Sequence, residues 1–213
     1  MIQLIYLAKH LNFYGRIQKK RPKINLPTLA LLTDNQQLTD LLKKINSLPK
    51  GSLVIFRHYN CPDRALLANK AVILCRARRI NFIIAKDINL AITLGVGLHL
   101  PEYSIPYVPV KLRLRHNKIR PDLLLTAAVH GTIALKQANH LGVNATLISP
   151  VFPTTSHIGL SSIGCIAFRR LVRLATTGTY ALGGITSHTV ISLVGSGAIG
   201  IATVSGFNDY QSK

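Results

Sequence analysis

The chain has 213 residues, of which 48% are hydrophobic, and it carries 26 Lys and Arg against 7 Asp and Glu, a formal net charge of +19. That hydrophobic content suffices for one sizeable core, and the basic excess favours anionic partners such as phosphate esters, nucleic acid or acidic membrane surfaces. Three scattered cysteines without a CxxC spacing argue against structural zinc and favour a reducing compartment, so we expect a cytoplasmic protein. No apolar stretch reaches the roughly 18 residues that span a bilayer.

The N-terminal segment MIQLIYLAKHLNFYG has the period of an amphipathic helix. Its apolar residues fall on one helical face: Leu4, Leu7, Leu11 and Tyr14. It lacks the leading positive cluster and the small-residue cleavage site of a signal peptide. We therefore expect residues 1–27 to form a helix that docks on the body of the protein, followed by a basic arm.

From residue 28 to residue 207, short runs rich in Ile, Val and Leu alternate with longer stretches of helical period. The strand candidates are TLALLTD, SLVIFRHY, NFIIAKD, GLHL, LLLTAAVH, ATLISPV, TYALGGI and GIATVSGF. The helix candidates are LTDLLKKINSL, DRALLANKAVILCRARR, INLAITLG, TIALKQANHLG, IGCIAFRRLVRLAT and SHTVISLVGSG. Strands with little polar alternation are buried on both faces, as in a parallel sheet covered by helices. The pattern predicts an α/β protein, a small single-domain (β/α)₈ TIM barrel, with an open doubly wound sheet as the alternative.

Two irregularities modify this barrel. The segment PEYSIPYVPVKLRLRHNKIRPD after GLHL shows no clean helical period, so the fourth helix should be short or missing. Only the tail 208–213 follows the last strand, which predicts that there is no eighth helix. We expect the N-terminal helix to cover the part of the outer wall that this leaves open.

In a barrel of this kind the chemistry lies at the C-terminal ends of the strands. The residues at these positions are poor in acids and rich in hydrogen-bond donors: Thr33, Asp34, Arg57, His58, Tyr59, Lys86, Asp87, His99, His130, residues 149–157, Gly183, Gly184, Ser205 and Gly206. Such a mouth suits an anion. The paired glycines of ALGGIT end one strand and are expected to open a helix, where free N–H groups favour phosphate. The alternative is that these glycines only make tight turns.

Several short segments appear in a familiar order: LLTD, FR, GLHL, AVH, SPVFPTTSH followed by GL, ALGGI and GIATVSG. In this respect the chain resembles the thiamine phosphate synthase/TenI family, from about residue 28 to residue 207. The resemblance implies a (β/α)₈ barrel and an enzyme of thiamine biosynthesis. Synthases of this family join a pyrimidine diphosphate to a thiazole phosphate and release diphosphate with Mg²⁺.

The resemblance also implies roles for residues of this chain. The thiazole phosphate would be held by Gly183, Gly184, Val204 and Ser205. The diphosphate would be contacted by Thr154, Thr155 and Ser156. Lys86 stands where the family has a metal-binding Asp; its charge would repel a metal ion but could itself neutralise the diphosphate. Arg57 would supply a fixed charge, and His157 would contact a phosphate or the second substrate. Together with His130, whose role is described below, they form the expected catalytic set: His130, Arg57 and His157.

The chain departs from the family pattern where a synthase binds its metal. Ala85 and Lys86 stand where the family has Asn-Asp, and only Glu102 lies near the place of the second metal-binding Asp. Asp87, one residue further along, is the candidate replacement ligand for Mg²⁺. Tyr59 and Ala128 replace a lysine and a serine of the family pattern.

Two other functions stay open. The TenI branch of the family converts a thiazole phosphate to its aromatic tautomer without a metal, with the histidine that ends the fifth strand, here His130, as the acid and base. A histidine suits proton transfer near neutral pH. A non-catalytic role in binding phosphate or nucleic acid is the third reading, since basic stretches such as RARR and KLRLRHNKIR recur. Aromatic residues are only 6% of the chain and do not interleave with these charges, so a solvated basic face is favoured. The expected partners are small phosphorylated substrates, with a homodimer as a further possibility and no membrane.

Overall fold

The computed structural model describes residues 4–11, 26–34, 38–108, 123–154 and 161–204. Eight parallel strands in these ranges close into a barrel in the order in which they occur along the chain. The strands are β1 (Leu29–Leu32), β2 (Leu53–Phe56), β3 (Asn81–Ala85), β4 (Gly97–Leu100), β5 (Leu125–Val129), β6 (Ala145–Ile148), β7 (Gly178–Leu182) and β8 (Gly200–Thr203). Closure occurs where β1 pairs with β8, with Leu31 opposite Thr203. The prediction of a (β/α)₈ barrel is confirmed, and the open doubly wound sheet is wrong.

Helices cover the outside of the barrel. They are α1 (4–11), α2 (Leu38–Ser47), α3 (Arg64–Ala77), α4 (Ile88–Leu94), α5 (Thr132–Leu141) and α6 (Gly164–Leu174). Two of them end as their sequences suggest, because Gly95 after α4 and Gly142 after α5 adopt the left-handed conformation that glycine tolerates best. None of the described helices is long and apolar enough to cross a membrane.

The core has two parts, one inside the barrel and one between the strands and the helices. The inner cluster contains no helix residue and takes alternate strand residues such as Leu53, Ile55 and Leu147. Tyr180 lies in it, and its hydroxyl donates a hydrogen bond to the carbonyl of Pro27 at 2.6 Å. The outer cluster joins the opposite strand faces to the buried sides of the helices. The interior of the barrel is therefore packed with side chains.

The N-terminal segment does form a helix with a buried face. Leu4, Ala8 and Leu11 are buried in the outer cluster, to which Leu29 of β1 and Ile201 of β8 also belong. Docking on the body of the protein is thus confirmed for residues 4–11. Tyr14, the basic arm and the tail 208–213 lie outside the described residues, so the proposed cover of the wall beside β8, the absence of an eighth helix and the domain limits stay predictions.

The connections after β4 and β7 differ from ordinary helices. After β4 the chain forms a six-residue 3₁₀ helix, Glu102–Tyr107, in line with the expected short fourth helix. After β7 the predicted helix SHTVISLVGSG is wrong, since only Val190–Leu193 form a 3₁₀ helix. The hydroxyl of Thr189 donates to the carbonyl of Gly184, and Gly195 has a φ of +74°. Side-chain hydroxyls that bind nearby backbone compete with the helix, and a left-handed glycine ends it.

Candidate functional site

A cavity of about 390 Å³ opens at the C-terminal ends of the strands. It is lined by Leu32, Arg57, Tyr59, His99, Pro101, Glu102, Tyr103, Ala128, His130, Leu147, Ser149 and Leu182. The cavity brings together Arg57 and His130, two residues of the expected catalytic set. Its lining does not include Lys86, Asp87, Gly183, Gly184 or Val204. His157, Thr155, Ser156 and Ser205 lie outside the described residues.

Arg57 is held in place from the end of β1. Its amide donates to the hydroxyl oxygen of Thr33 at 3.0 Å, and its Nε donates to the carbonyl of Thr33 at 2.8 Å. The Thr33 hydroxyl lies 2.8 Å from Nδ1 of His58. Because the Thr33 oxygen accepts from Arg57, its own hydrogen is available for His58. The guanidinium therefore reaches the cavity with a fixed direction.

The imidazole of His130 is oriented by the backbone of the next strand. Nδ1 lies 2.8 Å from the carbonyl oxygen of Ser149, just past β6, and 3.4 Å from the Ser149 hydroxyl. A carbonyl only accepts, so Nδ1 carries the hydrogen and Nε2 is the basic nitrogen of the neutral ring. The amide of His130 donates to the carboxylate of Glu102. These hydrogen bonds fix the tautomer of the ring and the position of the residue that follows β5, and proton transfer requires a base held in this way.

His99 forms part of the cavity wall but stays uncharged. It is buried in β4, and its Nδ1 lies 2.8 Å from the hydroxyl of Thr126. Burial, and to a smaller extent the nearby positive charge of Arg57, lowers the pKa of His99 from 6.5 to about 3. The positive charge at the cavity therefore comes from Arg57.

Two aromatic residues also line the cavity: Tyr59, which the sequence places at the mouth, and Tyr103, which sequence reasoning did not assign to the site. Tyr103 is 63% exposed and lies in the 3₁₀ helix after β4, with its ring centroid 5.8 Å from Nζ of Lys86. Burial raises the pKa of Tyr59, with Arg57 acting in the opposite direction, so Tyr59 is a neutral phenol. Nothing in the segment EYSIPY distinguishes Tyr103 from Tyr107 as a site residue, because that choice depends on how the 3₁₀ helix faces the barrel.

The residues at the end of β3 do not fit the Mg²⁺ site that the family implies. One carboxylate oxygen of Asp87 accepts from the amide of Leu90 at 2.9 Å and caps α4, and the other lies 3.0 Å from Nη1 of Arg64. Lys86, which precedes it, is exposed. Mg²⁺ requires hard oxygen ligands. Across the described ranges no group of three His, Cys, Asp or Glu could hold a metal ion. The candidate ligand Asp87 is therefore a helix cap and an ion-pair partner here.

The paired glycines after β7 pack against the loop after β6. Gly183 and Gly184 have φ values of +93° and +63°. A Cβ on Gly183 would lie 2.9 Å from Cα of Pro150, and one on Gly184 would lie 2.7 Å from Cβ of Phe152. The amide of Phe152 donates to the carbonyl of Gly183 at 3.1 Å. Tight packing of this loop thus accounts for both glycines.

The same turn leaves donors available. Within the described part of the chain, the amides of Gly183 and Gly184 donate to no protein acceptor. The predicted helix N-terminus behind them is absent, since residues 185–189 form no helix. The amide donors here therefore come from the turn itself. Thr154 is half-buried and has a hydrogen-bonding or electrostatic partner.

A closed eight-stranded parallel barrel with helices on its outside and a cavity at the C-terminal strand ends places the protein in the class of (β/α)₈ barrels. The model of one family, described as thiamine monophosphate synthase (TMP-TENI), matches residues 29–207. The chain belongs to this family, and this membership supports a role in thiamine biosynthesis.

Individual relatives and a solved structure agree with this assignment. A protein of Aquifex aeolicus named "Putative thiamine-phosphate synthase 2" is 30% identical over 192 residues, which cover 86% of this chain and 99% of the relative. A thiamine-phosphate synthase of Bacillus velezensis is 22% identical over 206 residues, 92% of this chain and 89% of its own. The structure of a thiamine phosphate pyrophosphorylase from Pyrococcus furiosus has the same fold, with a TM-score of 0.66 and 21% identity over 84% of this chain and 85% of that chain.

Proposed function

We propose that this protein is an enzyme of thiamine biosynthesis that binds a thiazole phosphate at the mouth of its barrel. The observation that carries the proposal is a cavity lined by both Arg57 and His130. The cavity wall also includes Leu182, which directly precedes the Gly183–Gly184 turn. A ring in the cavity would therefore have a phosphate anchor next to it.

The phosphate is assigned to the amides of Gly183 and Gly184, together with the end of β8 at Val204 and Ser205. Within the described residues neither glycine amide donates to a protein acceptor, so both can donate to a ligand. Amide hydrogens that converge on one point bind phosphate oxygens without a charged side chain. Arg57 then binds the thiazole ring or a second anionic group.

For the reaction, the described residues best support proton transfer on the thiazole ring. His130 takes a proton at Nε2 from one ring position and returns it at another, which isomerises the ring to its aromatic form without any change of composition. The Ser149 carbonyl stabilises the protonated imidazole between these two steps, because it accepts the Nδ1 hydrogen throughout.

Formation of thiamine phosphate is the second candidate, and the names of the relatives favour it. Carbon–nitrogen bond formation would release diphosphate, whose charge needs a cation. Lys86 at the end of β3 is the residue assigned to that anion, together with Thr154, Thr155 and Ser156, which follow β6 along the chain. This reaction would have to proceed at a β3 end where Asp87 is paired with Arg64.

Two assays with the full-length protein separate these reactions. In the first, the non-aromatic thiazole phosphate alone is followed by ultraviolet absorbance or proton NMR, and we expect its aromatisation to be faster with protein than without. In the second, aromatic thiazole phosphate and pyrimidine diphosphate are incubated with Mg²⁺, and thiamine phosphate is quantified by chromatography. Product only in the second assay would replace tautomerisation by synthesis. No product in either assay, and no rise in melting temperature with thiazole phosphate, would contradict the whole proposal.

A further inference from the structure

Arg64, the first residue of α3, binds a set of oxygen atoms at the mouth of the barrel. Its Nη1 donates to the carboxylate of Asp87 at 3.0 Å, and its Nη2 donates to the carbonyl of Ala85 at 2.8 Å. Nε and Nη2 both reach the carbonyl of Arg57 at 3.3 Å. One guanidinium thereby joins the ends of β2 and β3 to the start of α4.

This arrangement is a cation surrounded by hard oxygen ligands. One carboxylate oxygen and two backbone carbonyls, from Asp87, Ala85 and Arg57, are the kind of ligands that a Mg²⁺ ion would take. The Arg64 side chain is only 13% exposed, and its guanidinium also lies 5.6 Å from the ring centroid of Phe56. An arginine side chain is not deprotonated in proteins. The oxygen set is therefore permanently neutralised by the chain itself.

We propose that Arg64 is a resident cation that takes the place of a divalent metal ion at the C-terminal end of β3. It does not line the ligand cavity. It acts through its neighbours: it holds the backbone on either side of Lys86 and at Arg57, the two cations assigned to the ligand. The inference concerns the metal implied by the family and holds for either candidate reaction.

One consequence separates this arrangement from a vacant metal site. A metal ion is repelled by the guanidinium, and the oxygen atoms that it needs already accept hydrogen bonds. Adding one carboxylate at the end of β3 should therefore not create a metal site while Arg64 is in place. Removing the guanidinium as well should create one.

The test measures binding of Mn²⁺, used as a spectroscopic substitute for Mg²⁺, from the EPR signal of the free ion with tag-free protein. The variants are Lys86→Asp, which adds a carboxylate at an exposed position, and Lys86→Asp/Arg64→Gln, which also removes the guanidinium. We expect the wild type and Lys86→Asp to leave the free Mn²⁺ signal as it is in buffer, and the double variant to reduce it. Because no substrate is present, the result does not depend on the proposed function.

Two results would overturn the inference. The first is that the wild type or the Lys86→Asp variant reduces the free Mn²⁺ signal, and that introducing Asp87→Asn into the same protein restores the signal. The second is a folded double variant, with a cooperative thermal transition, that leaves the signal unchanged. If the double variant does not fold, the first comparison alone decides, since it requires only the wild type, Lys86→Asp and Asp87→Asn.

Discussion

At the scale of single residues, one backbone carbonyl determines what His130 can do. The Ser149 carbonyl accepts a hydrogen bond from Nδ1, which leaves Nε2 as the basic nitrogen. A histidine at the end of β5 was evident from the sequence AVH. The tautomer was not, because it depends on a carbonyl that is 19 residues away along the chain.

We expect His130→Asn to lower the rate of thiazole aromatisation by roughly 10²-fold or more, the contribution of a positioned acid and base. The amide of Asn approximates part of the ring's shape, but near neutral pH it neither takes up nor releases a proton and so cannot act as an acid or a base. Rates are measured by absorbance at saturating substrate, with melting temperature as the check of folding. His140→Asn is the matched control and should keep its rate, because His140 lies in the last turn of α5 and does not line the cavity. An unchanged rate in His130→Asn would remove His130 from the mechanism.

His99 gives a prediction for stability against pH. The pKa of His99 is about 3 in the folded protein, against its ordinary value of 6.5 in the unfolded chain. Between these two pH values the unfolded chain therefore binds a proton at His99 that the folded protein does not bind. The free energy of unfolding therefore falls as the pH falls from 6.5 towards 3, by up to about 1.4 kcal/mol per pH unit from this group. Urea unfolding at several pH values within this window measures the slope.

The comparison for this prediction is His99→Gln, whose side chain can still bond the Thr126 hydroxyl but does not titrate. Its unfolding free energy should depend less steeply on pH within the same window. Other titrating groups contribute equally to both proteins, so the difference in slope isolates His99. Equal slopes would show that His99 is not the buried neutral imidazole described above.

At the scale of elements, the loop after β6 and the turn after β7 behave as one unit. The amide of Val151 donates to the carbonyl of Leu182 at 2.9 Å, and that of Phe152 donates to Gly183 at 3.1 Å. Both glycines face this loop rather than open space. The unit sets the position of the glycine amides that we assign to the phosphate.

Gly184→Ala should destabilise the protein by about 2 kcal/mol or more. A non-glycine residue in the left-handed region costs about 1 kcal/mol, and the new Cβ would also meet Phe152 at 2.7 Å. Chemical unfolding with a fluorescence or circular dichroism signal measures the loss. Gly51→Ala separates the two costs, because Gly51 has a φ of +80° but nothing within 4 Å of the added Cβ. Equal losses for both variants would mean that the loop gives way to the methyl group.

The sequence predicted those elements that are determined by local patterns of residues, and it failed where contacts with other parts of the chain decide the structure. The eight strands were found because each is a short apolar run, and GLHL matches β4 residue for residue. The helix after β7 was predicted from its apolar period, but the bonds of Thr189 and the turn at Gly195 replace it with a 3₁₀ turn. The ion pair of Arg64 with Asp87 was not predictable, since it joins the start of α3 to the cap of α4, which the pairing of β2 with β3 brings together.

At the scale of the whole molecule, part of the large basic excess has a structural use. Arg76 donates to the carbonyl of Leu94 at 2.7 Å, and Arg78 to that of Leu48 at 3.3 Å. Arg169 donates to the carbonyls of Ser192 and Val194. Guanidinium groups from RARR (76–79) and from a second basic stretch, FRR (168–170), thus bind carbonyl oxygens of neighbouring segments. These contacts support a structural use for the two basic stretches over a dedicated nucleic-acid interface.

The net charge of +19 predicts that added salt stabilises the protein. Repulsion among like charges opposes the compact state, and at about 0.1 M salt charges more than about 10 Å apart are largely screened. The melting temperature should therefore rise with NaCl at constant pH. Phosphate at the same ionic strength should raise it further if the mouth binds the anion, and a melting temperature that falls with NaCl would contradict this account.

The contact between the loop after β6 and the turn after β7 also constrains how the protein can change over evolution. A side chain at position 184 needs space that Phe152 and Pro153 now occupy, so the two segments cannot accept substitutions independently. In related barrels, a residue other than glycine at this position should be inherited together with a rebuilt loop. Paired substitutions of this kind would mark lineages in which the mouth has adapted to a differently shaped ligand.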